Sequence, residues 1–179
     1  MSDPVIVTLA LDAASQAFFD AVRRAHFPPE RLMVDAHLTL YHKLPGDAWP
    51  GIASRLAEAA LATPPLPVRA EGIVRLNRGG VAYGLAAPGA KSLKARLDDG
   101  WPFELAAQDR GGLRPHVTVQ NRVAPEVAEA TASSLRATFA PFEGRLTALA
   151  AWWYRGGPWE AAGRWELVGA PPAPGAARP

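Results

Sequence analysis

The chain has 179 residues, 49% of them apolar and 20% charged, a balance that supports a sizeable core and excludes wholesale disorder. Nineteen basic against seventeen acidic residues leave a net charge of +2, too small for the broad positive field of a protein that coats nucleic acid without selectivity. The lack of cysteine removes disulfides, thiolate metal sites and a thiol nucleophile, so any chemistry falls to other groups.

"MSDPVIVTLALD" lacks the basic start and small-residue cleavage site of a signal peptide, and no apolar run is long enough to span a bilayer, so a cytoplasmic location is expected. "VIVTLAL", from Val5 to Leu11, reads as a strand. Asp12 can cap a following helix with Phe18, Val22 and Ala25 on its inner face, ending by Pro28. A strand "HLTL" (37–40), a turn "LPGD" and a helix aligning Ile52, Leu56 and Ala60 come next, then the extended segment "PLPVRAEGIVRL".

After hairpin chemistry at Asn77 to Gly80 the order repeats. The strand "VAYGLA" leads to a helix opened by Pro88, carrying Leu93 and Leu97 and closed by Gly100. An irregular stretch containing "DRGG" precedes the strand "HVTV" (116–119), a helix opened by Pro125, an extended segment from Phe142 to Tyr154 and a last strand "RWELVG". The expected fold is α+β: two pseudo-symmetric lobes with antiparallel sheets and flanking helices around a central cleft. Residues 1–168 would form one bilobal domain from a duplicated unit, roughly 4–78 and 80–155, with 169–179 a Pro/Ala-rich surface tail.

HLTL and HVTV are the most informative feature. A given histidine would begin such a tetrapeptide only about once in a hundred times, yet two of the four histidines here do. Side chains alternate along a strand, so His37 and Thr39 face one way and Leu38 and Leu40 the other; the same holds for His116 and Thr118. Strict alternation adds Tyr41 to the first polar face, and Arg114 and Gln120 to the second, as candidate substrate contacts. Lobes related by a twofold axis would bring the faces together.

Such a cleft holds two imidazoles that exchange protons near neutral pH and two hydroxyls that can donate to phosphate oxygens. That inventory fits phosphodiester cleavage: one His deprotonates the nucleophile, the other protonates the departing oxygen, and the threonines hold the nonbridging oxygens. A single such strand is more simply a half-exposed strand with a satisfied histidine; it is the pair at matching places that favours catalysis. Two His without Asp, Glu or Cys at ligand spacing make an incomplete metal shell, and neither metal nor cofactor is expected.

On these residues the sequence resembles the 2H phosphoesterase superfamily, whose signature is two His-x-Thr/Ser motifs between apolar residues on pseudo-symmetric lobes. "HFPPERLMVDAHLTLYHKLPG" and "LRPHVTVQNRV" look like its bacterial 2'-5' RNA ligase or RNA 2',3'-cyclic phosphodiesterase branch. The resemblance implies a catalytic set of His37, Thr39, His116 and Thr118. It also implies His37 as general acid and His116 as general base, opening a 2',3'-cyclic phosphate to a 2'-phosphate. Partners would be RNA 3' ends or small nucleotides bearing a cyclic phosphate, handled by a monomer without a membrane or obligate protein partner.

Other residues have plainer readings. His26 sits at a helix end, where the dipole favours a cation, and alternation turns His42 away from His37. Lys43 and Arg122 flank the motifs as a solvated rim, whereas Arg114 shares the His116 face. Trp152, Trp153, Tyr154 and Trp159 surround an "RGGP" turn and read as packing, although one exposed ring could stack a base. Alternation forbids Trp152 and Trp153 from both facing the cleft.

Overall fold

A computed structural model describes residues 3–170; most of the expected tail, 171–179, lies outside the described residues. The order is β1 (Val5–Leu11), α1 (Ala13–His26), β2 (Leu38–Leu44), α2 (Trp49–Leu61), β3 (Leu66–Leu76), β4 (Gly80–Ala86), α3 (Pro88–Asp98), β5 (His116–Gln120), α4 (Pro125–Ala137), β6 (Glu143–Trp153) and β7 (Glu160–Glu166). Asp12 caps α1, its Oδ1 accepting the Ser15 N–H at 2.9 Å, while α2, α3 and α4 each carry proline in the first turn, where a missing N–H costs nothing. The last strand begins four residues earlier than "RWELVG" suggested, because β6 extends its pairing back to Glu160. No helix among the described residues is long and apolar enough to cross a membrane.

All strand pairs are antiparallel, and seven strands form one sheet with the path β2-β1-β6-β3-β4-β5; β7 pairs with β6. The fold is therefore α+β, as expected. The two halves of the sequence interleave. β6, late in the chain, pairs with β1 along one edge from Leu146 to Trp153, and with β3 along the other through Glu143–Leu146. α1 leaves β1 but packs on β5 of the other half. α3 leaves β4 and meets β2, where the Tyr41 hydroxyl donates to Asp98 at 2.5 Å.

The buried stripe of α1 differs from expectation: Ser15, Phe19 and Arg23 face inward, whereas Phe18 is exposed. A stripe containing a serine and an arginine is invisible to hydropathy, so the apolar residues one step away were the better match to a helical period. Phe19 packs edge-on against Tyr83 at 5.3 Å, and Ser15 sits over Gly144, where a Cβ would lie 2.1 Å from its hydroxyl. The other helices bury what the sequence indicated, including Ile52, Leu56 and Ala60 on α2 and Leu93 and Leu97 on α3.

Candidate active site

The sheet curls until its edge strands β2 and β5 lie against each other, which brings the two His-x-Thr motifs to one cleft. His37, Thr39, His116 and Thr118 are half-buried, while Leu38, Leu40, Val117 and Val119 are buried. The alternation expected for the tetrapeptides therefore holds through the threonines.

Past each threonine it fails, in the same way on both strands. Thr8 pairs with Thr39 and Val7 with Tyr41, leaving Leu40 as an extra residue; Ala82 pairs with Thr118 and Val81 with Gln120, leaving Val119 as an extra residue. These matched β-bulges reverse the parity of the residue that follows each of them, and a second irregularity between Tyr41 and Leu44 brings β2 back into phase, with Leu44 buried. Tyr41 is fully buried and Gln120 is 3% exposed, so neither lines the cleft and both expected substrate contacts are corrected. Each ties its strand to the first helix of the opposite half instead. Tyr41 donates to Asp98 on α3, and the Gln120 amide donates to the His26 carbonyl on α1 at 3.1 Å and to Thr131 at 3.0 Å. Burial pushes the Tyr41 hydroxyl far up, and the Asp98 carboxylate adds to the effect.

Both imidazoles are set by the same local device. His37 Nδ1 lies 2.7 Å from the Asp35 carbonyl, and His116 Nδ1 lies 2.8 Å from the Arg114 carbonyl, each two residues upstream. A carbonyl only accepts, so Nδ1 carries the proton and the lone pair of the neutral ring falls on Nε2. Burial lowers the His37 pKa from 6.5 to about 4; the Asp35 hydrogen bond opposes this, and the positive charges of Arg23, His116 and His42 reinforce it.

One wall of the cleft is aromatic. The Trp159 ring is centred 5.0 Å from His37 and 6.2 Å from Trp152, whose indole N–H donates to the Thr8 hydroxyl at 3.0 Å. Trp153 packs on Trp49 at 5.2 Å, so the two adjacent tryptophans do face opposite ways. Arg114 stays exposed next to His116. His42 is exposed, and its Nδ1 donates to Asp109 at 3.0 Å.

Two groups escaped sequence reading. Asp109, from the "DRGG" stretch, is 1% exposed and also accepts the backbone N–H groups of His42 and Lys43, each at 2.9 Å. Burial raises its pKa, but these hydrogen bonds outweigh burial and hold the carboxyl below its usual range. Its carbonyl accepts from Lys94 Nζ on α3 at 2.8 Å, so the loop entering the second motif is pinned by the Asp109 carboxylate to β2, which carries the first, and by the Asp109 carbonyl to α3. The other is Arg23, whose buried guanidinium donates to the carbonyls of Val34 and Thr118. Asp109 gave no signal beyond turn composition; Arg23 could have been found as the residue four past Phe19 on a helix whose cap was already recognised.

A curled antiparallel sheet presenting two His-x-Thr strands to one cleft matches the 2H phosphoesterase class. The model of the 2'-5' RNA ligase superfamily matches residues 11–158, and the chain belongs to that family. Among solved structures, TT0787 of Thermus thermophilus superposes with a TM-score of 0.64 at 16% identity, covering 94% of this chain and all of that one. Escherichia coli LigT complexed with 3'-AMP gives 0.61 at 16% identity, over 94% of this chain and 99% of LigT. A structure described as a phosphoesterase gives 0.60 at 20% identity, over 94% and 99%. At these identities the likeness establishes the fold. No curated protein matches the sequence.

Proposed function

We propose that the protein is a metal-independent phosphodiesterase acting on RNA ends, opening a 2',3'-cyclic phosphate to a 2'-phosphate. The observation carrying this reading is the pair of Nδ1-anchored imidazoles, each two residues before a threonine, on adjoining strands of one cleft. In the proposed reaction His116 Nε2 takes a proton from water as the water oxygen attacks phosphorus. The bond from phosphorus to the 3' oxygen breaks, and that oxygen receives the proton of His37. Thr39 and Thr118 hydroxyls donate to the nonbridging oxygens as their charge grows. With a 5'-hydroxyl in place of water, the same groups would form a 2'-5' linkage.

The depressed pKa of His37 bears on its role. A ring with a pKa of about 4 is almost wholly neutral at pH 7 in the empty cleft. The anionic phosphodiester offsets the nearby cations and favours the protonated ring, so His37 becomes a competent acid when substrate enters.

Incubating the protein with RNA and mononucleotides ending in 2',3'-cyclic phosphate tests the reading. A 2'-phosphate product, formed equally in the presence of EDTA, is expected. His37→Ala and His116→Ala should each lower turnover by about 10²- to 10⁴-fold. A substrate with an activated leaving group should rescue His37→Ala but not His116→Ala; the opposite pattern exchanges the two roles. Wild-type turnover in either variant removes the two-histidine mechanism.

A second reading keeps the site and takes a small nucleotide or a 2'-5' oligonucleotide as substrate. The structures of E. coli LigT with 3'-AMP, NADP+ and ATP favour it, as does the Trp159 ring beside His37, which offers a base a stacking surface. Relative kcat/KM on mononucleotide and oligonucleotide substrates separates the two. Binding of RNA ends without turnover of any of these substrates would point instead to a non-catalytic end-binding module.

A further inference from the structure

We propose that Arg23 is a positioning residue for the reaction: its guanidinium ties the second His-x-Thr strand to the segment leading into the first and places a fixed positive charge next to the cleft. The turnover arm of this inference rests on the function proposed above.

Arg23 lies on α1 and is 4% exposed. One terminal nitrogen donates to the Thr118 carbonyl at 2.6 Å, inside the second motif; the other donates to the Val34 carbonyl at 2.9 Å, three residues before His37. The planar fork thus spans backbone from both halves of the chain, a geometry that a single ammonium reproduces poorly. Phe27 covers one face of the guanidinium, with 4.5 Å from its carbon to the ring centre, and Nε has no partner among the described residues.

Among the described residues, Arg23 makes no direct ion pair. Burial lowers the Arg23 pKa, and Asp20 and Asp35 raise it through space. The Asp20 oxygens are already engaged by the Gln16 amide at 3.0 Å and the Ala36 N–H at 2.7 Å. Burying a cation without a close counterion is costly, and removing it would leave two buried carbonyls without these donors. A field that still reaches His37 gives the arrangement a use beyond packing. The groups acting on that ring are Arg23 from α1, His116 from β5, His42 from β2 and the Asp35 carbonyl.

The test compares wild type, Arg23→Met and Arg23→Lys in the full-length protein, after thermal melts establish that each folds. Two quantities are read: kcat on a 2',3'-cyclic phosphate substrate, and the His37 titration midpoint in the ligand-free protein by ring NMR. Arg23→Met should lower kcat by about 10- to 100-fold, the scale of loss when reacting groups are displaced by about an ångström. It should also raise the His37 midpoint above the wild-type value, because a neighbouring cation is gone. Arg23→Lys should restore the midpoint while leaving kcat reduced.

A folded Arg23→Met protein with wild-type kcat, or with an unmoved His37 midpoint, overturns the proposal. If Arg23→Met does not fold, Arg23→Lys decides, and wild-type kcat there overturns it. Should the wild type cleave no cyclic phosphate, the functional reading fails by itself. The midpoint and the affinity for inorganic phosphate then decide Arg23: a raised midpoint with at least tenfold weaker phosphate binding supports it, and no change in either sinks it.

Discussion

At the scale of single residues, the site depends on how each imidazole is held. The Nδ1 anchor to the carbonyl two places upstream is available to any histidine entering a strand from an extended segment, and it fixes the tautomer without help from another side chain. For His37 the surroundings add a second effect, since burial and the neighbouring charges bring its pKa down to about 4. Its folded pKa is below the unfolded value of about 6.5, so the unfolded chain binds the extra proton between those values. The stabilisation from a neutral His37 is therefore complete above about pH 6.5 and is lost as pH falls toward 4. Thermal melts should show stability declining through this window in wild type, and declining less in His37→Gln. Equal slopes in the two proteins would mean that the ring is not depressed.

At the scale of elements, the matched bulges after Thr39 and Thr118 decide which side chains face the cleft. A bulge bends its strand and increases its twist, which suits edge strands that must curl toward each other. It also turns the next residue inward, and Tyr41 and Gln120 each use that turn to fasten the helix of the opposite half. Tyr41→Phe and Gln120→Met should therefore destabilise the fold by about 1 to 3 kcal/mol, the usual cost of a lost buried hydrogen bond with its partner left unpaired. KM should stay within about twofold, because neither side chain reaches the cleft. A large rise in KM at wild-type stability would return them to the substrate-binding set. Denaturant melts alongside steady-state kinetics make the comparison.

At the scale of the molecule, the exchange of elements between halves makes the cleft a joint product. β6 joins the β1 and β3 sides of the sheet, α1 packs on β5, and Tyr41 on β2 bonds to α3. Neither half keeps its own sheet covered, so a fragment of residues 3–78 would expose the edge of β1 that β6 occupies. Fragments 3–78 and 79–170 should each lack cooperative thermal unfolding alone and regain it when mixed. Cooperative melting of either fragment by circular dichroism would show that a half folds independently.

The sequence by itself determined the order of elements, most helix faces, the α+β class and the four residues of the candidate site. Each of these follows from local rules: capping, proline placement, period-two alternation over four residues, and a paired tetrapeptide too improbable to be accidental. Only the tertiary structure decided the fates of Tyr41, Gln120, Arg23 and Asp109. Alternation carries no information about an extra residue in a strand, because a bulge is defined by register with a partner, Thr8 and Val7 on one side and Ala82 and Val81 on the other. The buried arginine stripe of α1 is likewise polar in the sequence and becomes interior only because backbone carbonyls from two distant segments, Val34 and Thr118, converge on it. Long-range convergence of this kind depends on chain topology, which the local pattern of a single segment does not encode.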